Sequence, residues 1–445
     1  MEPLRIDIPK TIQLALDKLG KAGYEAYIVG GCVRDALLGV EPQDWDITTS
    51  AIPEEIQQIF NNYGQRDTGL KHGTVMIIFQ NELIEITTFR IDHEYSDGRR
   101  PDSISYTSNV IEDLGRRDYT INACAMDGKQ LVDPFGARED IRNRLIRCVG
   151  DPVERFTEDS LRILRGIRFA STLNFTVEEN TRRAMFECKG LLKNISWERI
   201  RVEFCKTLLG INVHDILIEF KDIISFMIPE IKEMIDFEQH NKYHVYDVYQ
   251  HSLKAIELID RDMVLRVTMF FHDIAKPISF SLDEEMIGHF YGHPKISAQI
   301  TGKILKRMRF SNEDINTITQ LIEFHNTEIG FTTKSVRRIL SKLGEVQLRR
   351  LLKVKRADTM AKNPMFVAGG LETLDAIEAI LDELIARDDC FTLADLKLDG
   401  YDLMGIGIPE GKKIGVILNK ILDMVLKEEI ENKREILMEK AKSLI

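Results

Sequence analysis

Over the first 145 residues, apolar and polar positions change rhythm every few residues. Ile8–Lys21 repeats its apolar side chains at helical spacing, and Ala26–Val29 is a short apolar run that predicts a strand. Gly30-Gly31 breaks that run, and a helix is expected from about Val33 to Leu38. The next strand carries Asp44-Trp45-Asp46-Ile47. Thr74–Phe79 and Leu83–Thr88 are β-rich runs on either side of Gln80-Asn81-Glu82, the layout of a hairpin. From Asp151 onward strands almost vanish and amphipathic helices follow one another to the end. The pattern predicts an α/β head on an all-α body. Gly and Pro clusters near 149–152 and 229 are candidate seams, as are Gly330 and Asn363-Pro364. The densely charged stretch Glu428–Lys442 predicts a solvated helix.

Composition narrows the class. At 445 residues the chain is too long for one ordinary core, so several domains or helical sub-bodies are expected. No apolar run is long enough to span a bilayer, and MEPLRIDIPK has no signal-peptide layout, so no membrane partner is expected. The six cysteines (32, 124, 148, 188, 205, 390) form no C-x-x-C pair, which suits buried thiols in a reducing cytoplasm. A net charge of −11 argues against a general nucleic-acid binder. Local charge tells another story, because eight arginines and no lysine fall between Arg138 and Arg168. Planar guanidinium forks suit phosphate and base-edge recognition, although a solvated helix face laced with acids would have the same composition.

The chemistry concentrates in Gly30-Gly31-Cys32-Val33-Arg34-Asp35 followed by Asp44-x-Asp46. Carboxylates at i and i+2 on a strand point to one face. Such a pair is costly unless a cation sits between the charges, and Mg²⁺ favours carboxylates together with substrate phosphates. The Gly31 backbone can approach a triphosphate closely, with Arg34 one step beyond it. Glu85, a carboxylate inside the apolar run Leu83–Ile86, is the candidate third ligand, or the base for an attacking hydroxyl. Each signal alone is ordinary, since a solvated turn or a solvent-facing hairpin glutamate would read the same. Their combination points to two-metal nucleotidyl transfer.

These segments, with GLKHGTV, EITTFR, YSDGRRPDSISY, LGRRDYTINACAMD, DPFGARED, RFTEDSLRILRGIRFA and WERIRVE, resemble the class II tRNA nucleotidyltransferases, which include bacterial CCA-adding enzymes and poly(A) polymerases. The resemblance runs over essentially the whole chain. It implies a polymerase-beta-like head with a mixed sheet, Mg²⁺ as cofactor, CTP and ATP as substrates, and the 3′ end of tRNA as partner, with no obligate protein partner. Base choice falls on Asp159 and Arg162 of Glu158-Asp159-x-x-Arg162, whose fixed acceptors and donors can face C or A and fail with G or U. If these residues lie on one helix, Asp159, Arg162, Arg165 and Arg168 form a stripe; the plain alternative is a Glu158–Arg162 surface ion pair. In Arg116-Arg117-Asp118-Tyr119-Thr120-Ile121-Asn122, the resemblance assigns Arg117 to the phosphates and Asp118 and Asn122 to the ribose or to bracing. Asp92–Pro101 corresponds to the loop that accompanies the switch from adding C to adding A, and relatives that stop after two C residues lack it.

A second constellation is built on histidine. His251, the pair His272-Asp273, His289, His293, His325 and finally Asp358 follow in an order that resembles the HD phosphohydrolase superfamily. That resemblance implies a transition divalent metal (Mn, Ni, Fe or Zn) on His251, His272, Asp273 and Asp358, with His293 and His325 extending the site. A lone histidine on an apolar face is usually a core residue; the ordered set is less easily accidental. The tail DLKLDGYDLMGIGIPEGKKIGVILNKIL resembles that of the HD-bearing CCA-adding enzymes, with Gly405, Gly407 and Gly411 expected in turns. The expected organisation is a head over 1–148, a base-selecting neck over 149–225, an HD domain over 226–362 and a tRNA-binding tail over 363–445. Poly(A) polymerase is the near rival. An HD phosphodiesterase with a nucleotide-binding head and a noncatalytic tRNA binder are the distant ones.

Overall fold

The computed structural model describes residues 6–66, 69–70, 73–93, 101–387, 393–427 and 429–444. Two compact units divide the chain, Met1–Pro229 and Glu230–Ile445.

The first unit opens with α1 (Lys10–Lys21), which buries Ile12, Ala15, Leu16 and Leu19, the one-face spacing of an amphipathic helix. It continues through β1 (Ala26–Val29), α2 (Gly31–Leu37), β2 (Asp46–Thr49), α3 (Pro53–Ile59) and β3 (Gly64–Arg66). Next come β4 (Thr74–Phe79), β5 (Glu82–Thr88), β6 (Arg90–His93), β7 (Ser103–Tyr106) and α4 (Val110–Gly115). A seven-stranded mixed sheet forms in the order β3-β4-β5-β2-β1-β8-β9, with β8 at Ala125–Met126 and β9 at Leu131–Val132. Its parallel pair is β2 with β5, in a register that sets Asp46 directly beside Glu85. The β4–β5 hairpin turns on two residues, Gln80 (φ 51°) and Asn81 (φ 69°), the left-handed pair that a two-residue turn matched to strand twist requires. Glu82, expected in the turn, is the first residue of β5. Ile28, Ile47, Val75, Ile77, Ile84 and Ile86 from the sheet and Leu16, Leu19 and Ile56 from the helices share one core.

Two departures from expectation matter for the site. The strand expected at Asp44 begins at Asp46, leaving Asp44 on the segment that leads into β2. The arginine-rich stretch is two helices, α6 (Pro152–Glu158) and α7 (Leu161–Leu173), following α5 (Ala137–Arg142). Asp159 lies between them in extended backbone (φ −142°, ψ 100°), so it does not share a helical stripe with Arg162. Its side chain accepts from Leu161 N at 3.1 Å, the capping bond by which Asp opens a new helix rather than continuing the old one. Past α7, Glu179–Glu187 (α8), Trp197–Leu208 (α9), Val213–Glu219 (α10) and Lys221–Met227 (α11) complete the unit.

Among its described residues the second unit is helical, with one two-stranded ribbon, β10 (Phe280–Leu282) and β11 (Gly288–Phe290). Its leading helices are α12 (Val248–Leu258), α13 (Met263–Phe271), α14 (His293–Arg307), α15 (Asn312–Phe324), α16 (Thr333–Leu343) and α17 (Glu345–Met360). Asp247, Asp262, Ser311 and Thr332 cap four of these N-termini through their side chains. Pro364–Ala386 forms α18, and Gly400–Gly405 (α19), Lys412–Leu426 (α20) and Arg434–Lys442 (α21) close the chain. The last helix starts at Arg434 rather than at 428, and Gly405 ends α19 instead of lying in a turn. Gly407 (φ 93°) and Gly411 (φ 142°) do occupy left-handed turn positions. Among the described residues, no helix is long and apolar enough to cross a membrane.

Candidate active site

Asp46 and Glu85 stand side by side on adjacent parallel strands, and Asp44 is two residues upstream of Asp46. Both paired residues are exposed, yet protein crowds their carboxyls enough to raise both pKa values. Partial desolvation raises the pKa of Asp46, Arg117 offsets part of that, and Asp44 adds to the rise. Desolvation and then the Asp46 charge raise Glu85. The three carboxylates are not drawn to mutual ligand distance, whereas a second cluster described below is.

Above them Gly30 caps α2 in left-handed backbone (φ 81°), and a Cβ there would stand 3.0 Å from Arg117 Nη1. Glycine therefore gives the arginine its seat. Arg117 also lies 3.5 Å from Asp113, a buried carboxylate that receives two bonds from Arg116. Burial opposes ionisation of Asp113, but Arg116 and Arg117 outweigh it and hold its pKa low. Sequence reading missed Asp113, because nothing in its own neighbourhood marks it out.

The remaining nucleotide candidates are held in several ion pairs and hydrogen bonds. Arg34 holds Asp35 at 2.7 Å and donates to Asn122 Oδ1 at 2.9 Å. Arg165 donates to Asp118 Oδ2 at 2.6 Å, and Arg168 to Glu203 at 2.6 Å. Asp118 is buried; burial disfavours its charge, yet Arg165 more than compensates and draws the carboxyl down to about 2. Asp159 Oδ2 accepts from Arg199 of α9 at 2.7 Å. Arg162 is buried and makes the expected Glu158 ion pair at 2.5 Å, but it also donates to the carbonyls of Arg155 and Arg116 at 3.2 and 3.0 Å. The plain ion pair is therefore present, alongside two bonds that tie Arg162 to the backbone of the head and of α6. Arg199 and Glu203 were not foreseen, although both lie in the WERIRVE run. Gly31 is the first residue of α2. Of the expected loop Asp92–Pro101, residues 94–100 lie outside the described residues, and the flanking strands β6 and β7 pair His93 with Ser103.

In the second unit, His251, His272, Asp273 and Asp358 form a group whose ligand atoms lie within 4.8 Å of one another, and Asp273, His293 and His325 form another. Asp273 belongs to both. The histidines sit at helix ends or on a buried helix face: His272 follows α13, His325 follows α15, His293 begins α14 and His251 lies in α12. Each turns Nδ1 to a backbone carbonyl: His272 to Met269 (2.8 Å), His293 to Phe290 (2.7 Å), His325 to Ile322 (2.7 Å) and His251 to Ala361 (3.4 Å). A carbonyl only accepts, so Nδ1 carries the proton and Nε2 is left as the inward ligand atom. His272 Nε2 and both Asp273 oxygens are buried without a hydrogen bond of good geometry. Burial opposes a charge on His272, but Asp273 overcomes it and lifts the imidazole to about 9; a ligating imidazole gives up that proton. Burial lowers His325 to about 4. Lys276 and Lys362 lie 2.7 and 2.6 Å from Asp273 and Asp358 and were not anticipated. His289 is outside the cluster, bonded to Asp283 at 2.7 Å. Cavities of about 360 and 440 Å³ reach the cluster.

Three family models match the chain: the poly A polymerase head domain over residues 26–147, a probable RNA and SrmB-binding site of polymerase A over 174–234, and a putative domain 2 of tRNA nucleotidyltransferase over 279–441. The CCA-adding enzyme of Enterococcus faecalis is 34% identical over 432 residues, covering 96% of this chain and 93% of its own. The chain belongs to the CCA-adding enzyme family. The Lactobacillus helveticus CCA-adding enzyme is 36% identical, over 94% of this chain and 92% of its own. In three dimensions the chain is similar to the Bacillus stearothermophilus CCA-adding enzyme in complex with CTP, at a TM-score of 0.72 and 26% identity, covering 98% of this chain and 97% of that one. Template-independent CCA addition to the tRNA 3′ end is the activity that this membership carries, and the family implies a divalent metal.

Proposed function

We propose that Asp44, Asp46 and Glu85 carry the chemistry by which this chain adds CMP, CMP and AMP to tRNA and releases pyrophosphate. The observation that carries the reading is the register of β2 with β5, which places Asp46 beside Glu85 with both carboxyls raised and Arg117 nearby. Like charges so placed fit a divalent cation, and Mg²⁺ is the ion such carboxylates with phosphates suit. When bound, the metal activates the 3′-oxygen and neutralises developing charge on the leaving group. Glu85, beside Asp46 and with its pKa raised by desolvation and by the Asp46 charge, is the candidate to take the proton of the attacking hydroxyl. Arg117 and Arg34 face the triphosphate and Arg165 and Arg168 the rest of the nucleotide; Asn122 braces Arg34, Asp118 braces Arg165, and Gly31 keeps the backbone close. Asp159 and Arg162 read the base edge. CTP, ATP and the tRNA 3′ end are the partners, and the cytoplasm suits an enzyme whose described cysteines are all free thiols.

Incubation with tRNA ending before CCA, offering each labelled nucleotide singly and in mixtures, tests the reading. CMP from CTP alone and AMP only after CTP is the expected order; A-tails from ATP alone would favour poly(A) synthesis.

A second reading concerns the His–Asp cluster. Its inward Nε2 atoms and the buried carboxylate of Asp273 shared by both groups support a transition divalent metal on His251, His272, Asp273 and Asp358, with His293 and His325 toward a second ion. Bound metal there would supply a Lewis acid for hydrolysis of a phosphate ester. Lys276 and Lys362 stand ready to pair with the ester's oxygens.

A further inference from the structure

Three of the arginines among the nucleotide candidates converge on one aromatic ring. The guanidinium carbon of Arg168 lies 3.9 Å from the centroid of Phe169, that of Arg165 at 5.4 Å and that of Arg34 at 5.5 Å. All three are inside the range at which a cation is attracted by the negative face of a ring. They come from two distant parts of the chain, Arg34 from α2 of the head and Arg165 and Arg168 from α7. Phe169 is 4% exposed, and its other neighbour is Tyr119, edge to face at 5.9 Å and 80°. Tyr119 is itself anchored: its hydroxyl donates to the Arg162 carbonyl at 2.6 Å. It also packs on Gly166, where a Cβ would stand 2.2 Å from the Tyr119 oxygen. The ring is therefore fixed from behind and presented to three like charges.

Those charges repel one another, and each has one carboxylate partner: Asp35 for Arg34, Asp118 for Arg165 and Glu203 for Arg168. A carboxylate restrains one edge of a guanidinium; Arg34 has a second hold in Asn122, whereas the planes of Arg165 and Arg168 depend on what lies against them. A ring beneath the plane restrains the other direction without consuming an N–H donor. An aliphatic side chain of similar size would fill the same space and supply no attraction.

We propose that Phe169 is a positioning residue for nucleotidyl transfer, a cation–π platform that holds Arg34, Arg165 and Arg168 as one cluster for the incoming nucleotide. The inference rests on the assignment of those arginines to the nucleotide. Phe169 touches neither the base nor the reacting atoms; it acts through the guanidinium groups.

The test replaces Phe169 in the full chain with phenylalanines carrying one, two and three ring fluorines. Each fluorine weakens the negative face and barely changes the volume, so packing is preserved while the attraction falls. KM for CTP and ATP should rise stepwise along the series, reaching about tenfold at the third fluorine, with kcat and Tm nearly unchanged. Phe169→Leu should match the trifluorinated protein. A KM that stays flat along the fluorine series overturns the proposal, and so does a loss confined to Tm. Arg34→Ala, Arg165→Ala and Arg168→Ala separate the two levels of the reading. If all three leave the nucleotide KM unchanged, the arginine assignment itself fails and the platform with it. If they raise KM while the fluorine series is flat, the platform alone fails.

Discussion

Asp159→Asn is the substitution that most directly examines how a protein surface replaces a template. Both oxygens of Asp159 are engaged: Oδ1 accepts from Leu161 N at 3.1 Å and Oδ2 from Arg199 at 2.7 Å. Each carboxylate oxygen has a second lone pair, which leaves room to accept from an exocyclic amine. Cytosine and adenine present that amine at C4 and C6; uracil and guanine present a carbonyl there. In the asparagine variant the amide oxygen is needed at Leu161 N, where the backbone offers only a donor. The NH₂ group must then replace Oδ2, facing both Arg199 and the base. A donor opposite an amine is unpaired, and a donor opposite a carbonyl is satisfied. The discrimination at stake is about 1–3 kcal/mol per bidentate contact, or roughly 5- to 150-fold in relative rate.

Single-turnover addition to tRNA lacking its CCA end, with each of the four nucleotides in turn, reads this out. CTP and ATP should lose their lead over UTP and GTP, and UTP and GTP should gain in absolute rate. An equal loss with all four would show that Asp159 braces the turn between α6 and α7 and reads nothing. Arg162→Ala is a poorer probe. It would strip the Arg162 bond from the Arg116 carbonyl as well as from Glu158, and an unsatisfied buried carbonyl costs about 1–3 kcal/mol; the Arg155 carbonyl keeps its bond from Asp159 N. That variant should lose stability together with base choice, and a thermal melt alongside the four-nucleotide assay would show both.

Asp46→Asn should abolish addition with the fold retained; a rate above about a tenth of wild type, ~1.4 kcal/mol of barrier, would refute its role as a metal ligand. His272→Ala and Asp273→Asn should lose bound transition metal and any phosphatase activity yet keep CMP and AMP addition, as measured by elemental analysis beside both assays. Metal content equal to wild type would sink the His–Asp reading. Asp118→Asn should destabilise the protein by roughly 2 kcal/mol at pH 7, the worth of a carboxyl drawn from 3.8 to about 2. A depressed acid pKa stabilises above the unfolded value and loses that contribution as pH falls through the folded one. The gap between variant and wild type in urea unfolding should therefore shrink to about half by pH 3; a constant gap from pH 6 to pH 3 would contradict the Arg165 pairing.

Much of the head was legible because its signals are local. The strands at 26–29 and 74–79 were found where period and turn residues placed them, and the Asp46–Glu85 neighbourhood follows from one parallel pairing. What escaped is set by bonds that no window of sequence contains. The Asp159 break depends on a side chain competing with the helix for Leu161 N, and a 3.6-residue stripe drawn through Asp159 and Arg162 does not register it. Its partner Arg199 lies 40 residues away. The order of His251, His272, His293 and His325 could be read, but their inward aim could not. That aim comes from four carbonyls, three of them at the ends or starts of helices.

The same pairs resolve the conflict between a net charge of −11 and a polyanionic substrate. Arg34, Arg162, Arg165, Arg168 and Arg199 are each already held by an acid: Asp35, Glu158, Asp118, Glu203 and Asp159. An arginine waiting free in solvent would cost side-chain entropy when it closed on a phosphate or a base. Here that cost is met in folding, and the acids that fix the forks also lower the net charge. A chain can therefore be acidic overall and still present ordered guanidinium groups to a nucleotide. The price is paid in affinity, since each acid offsets part of the attraction. Selectivity benefits instead: a fork held in one direction leaves unpaired donors with the wrong base, where a mobile one would adapt to it.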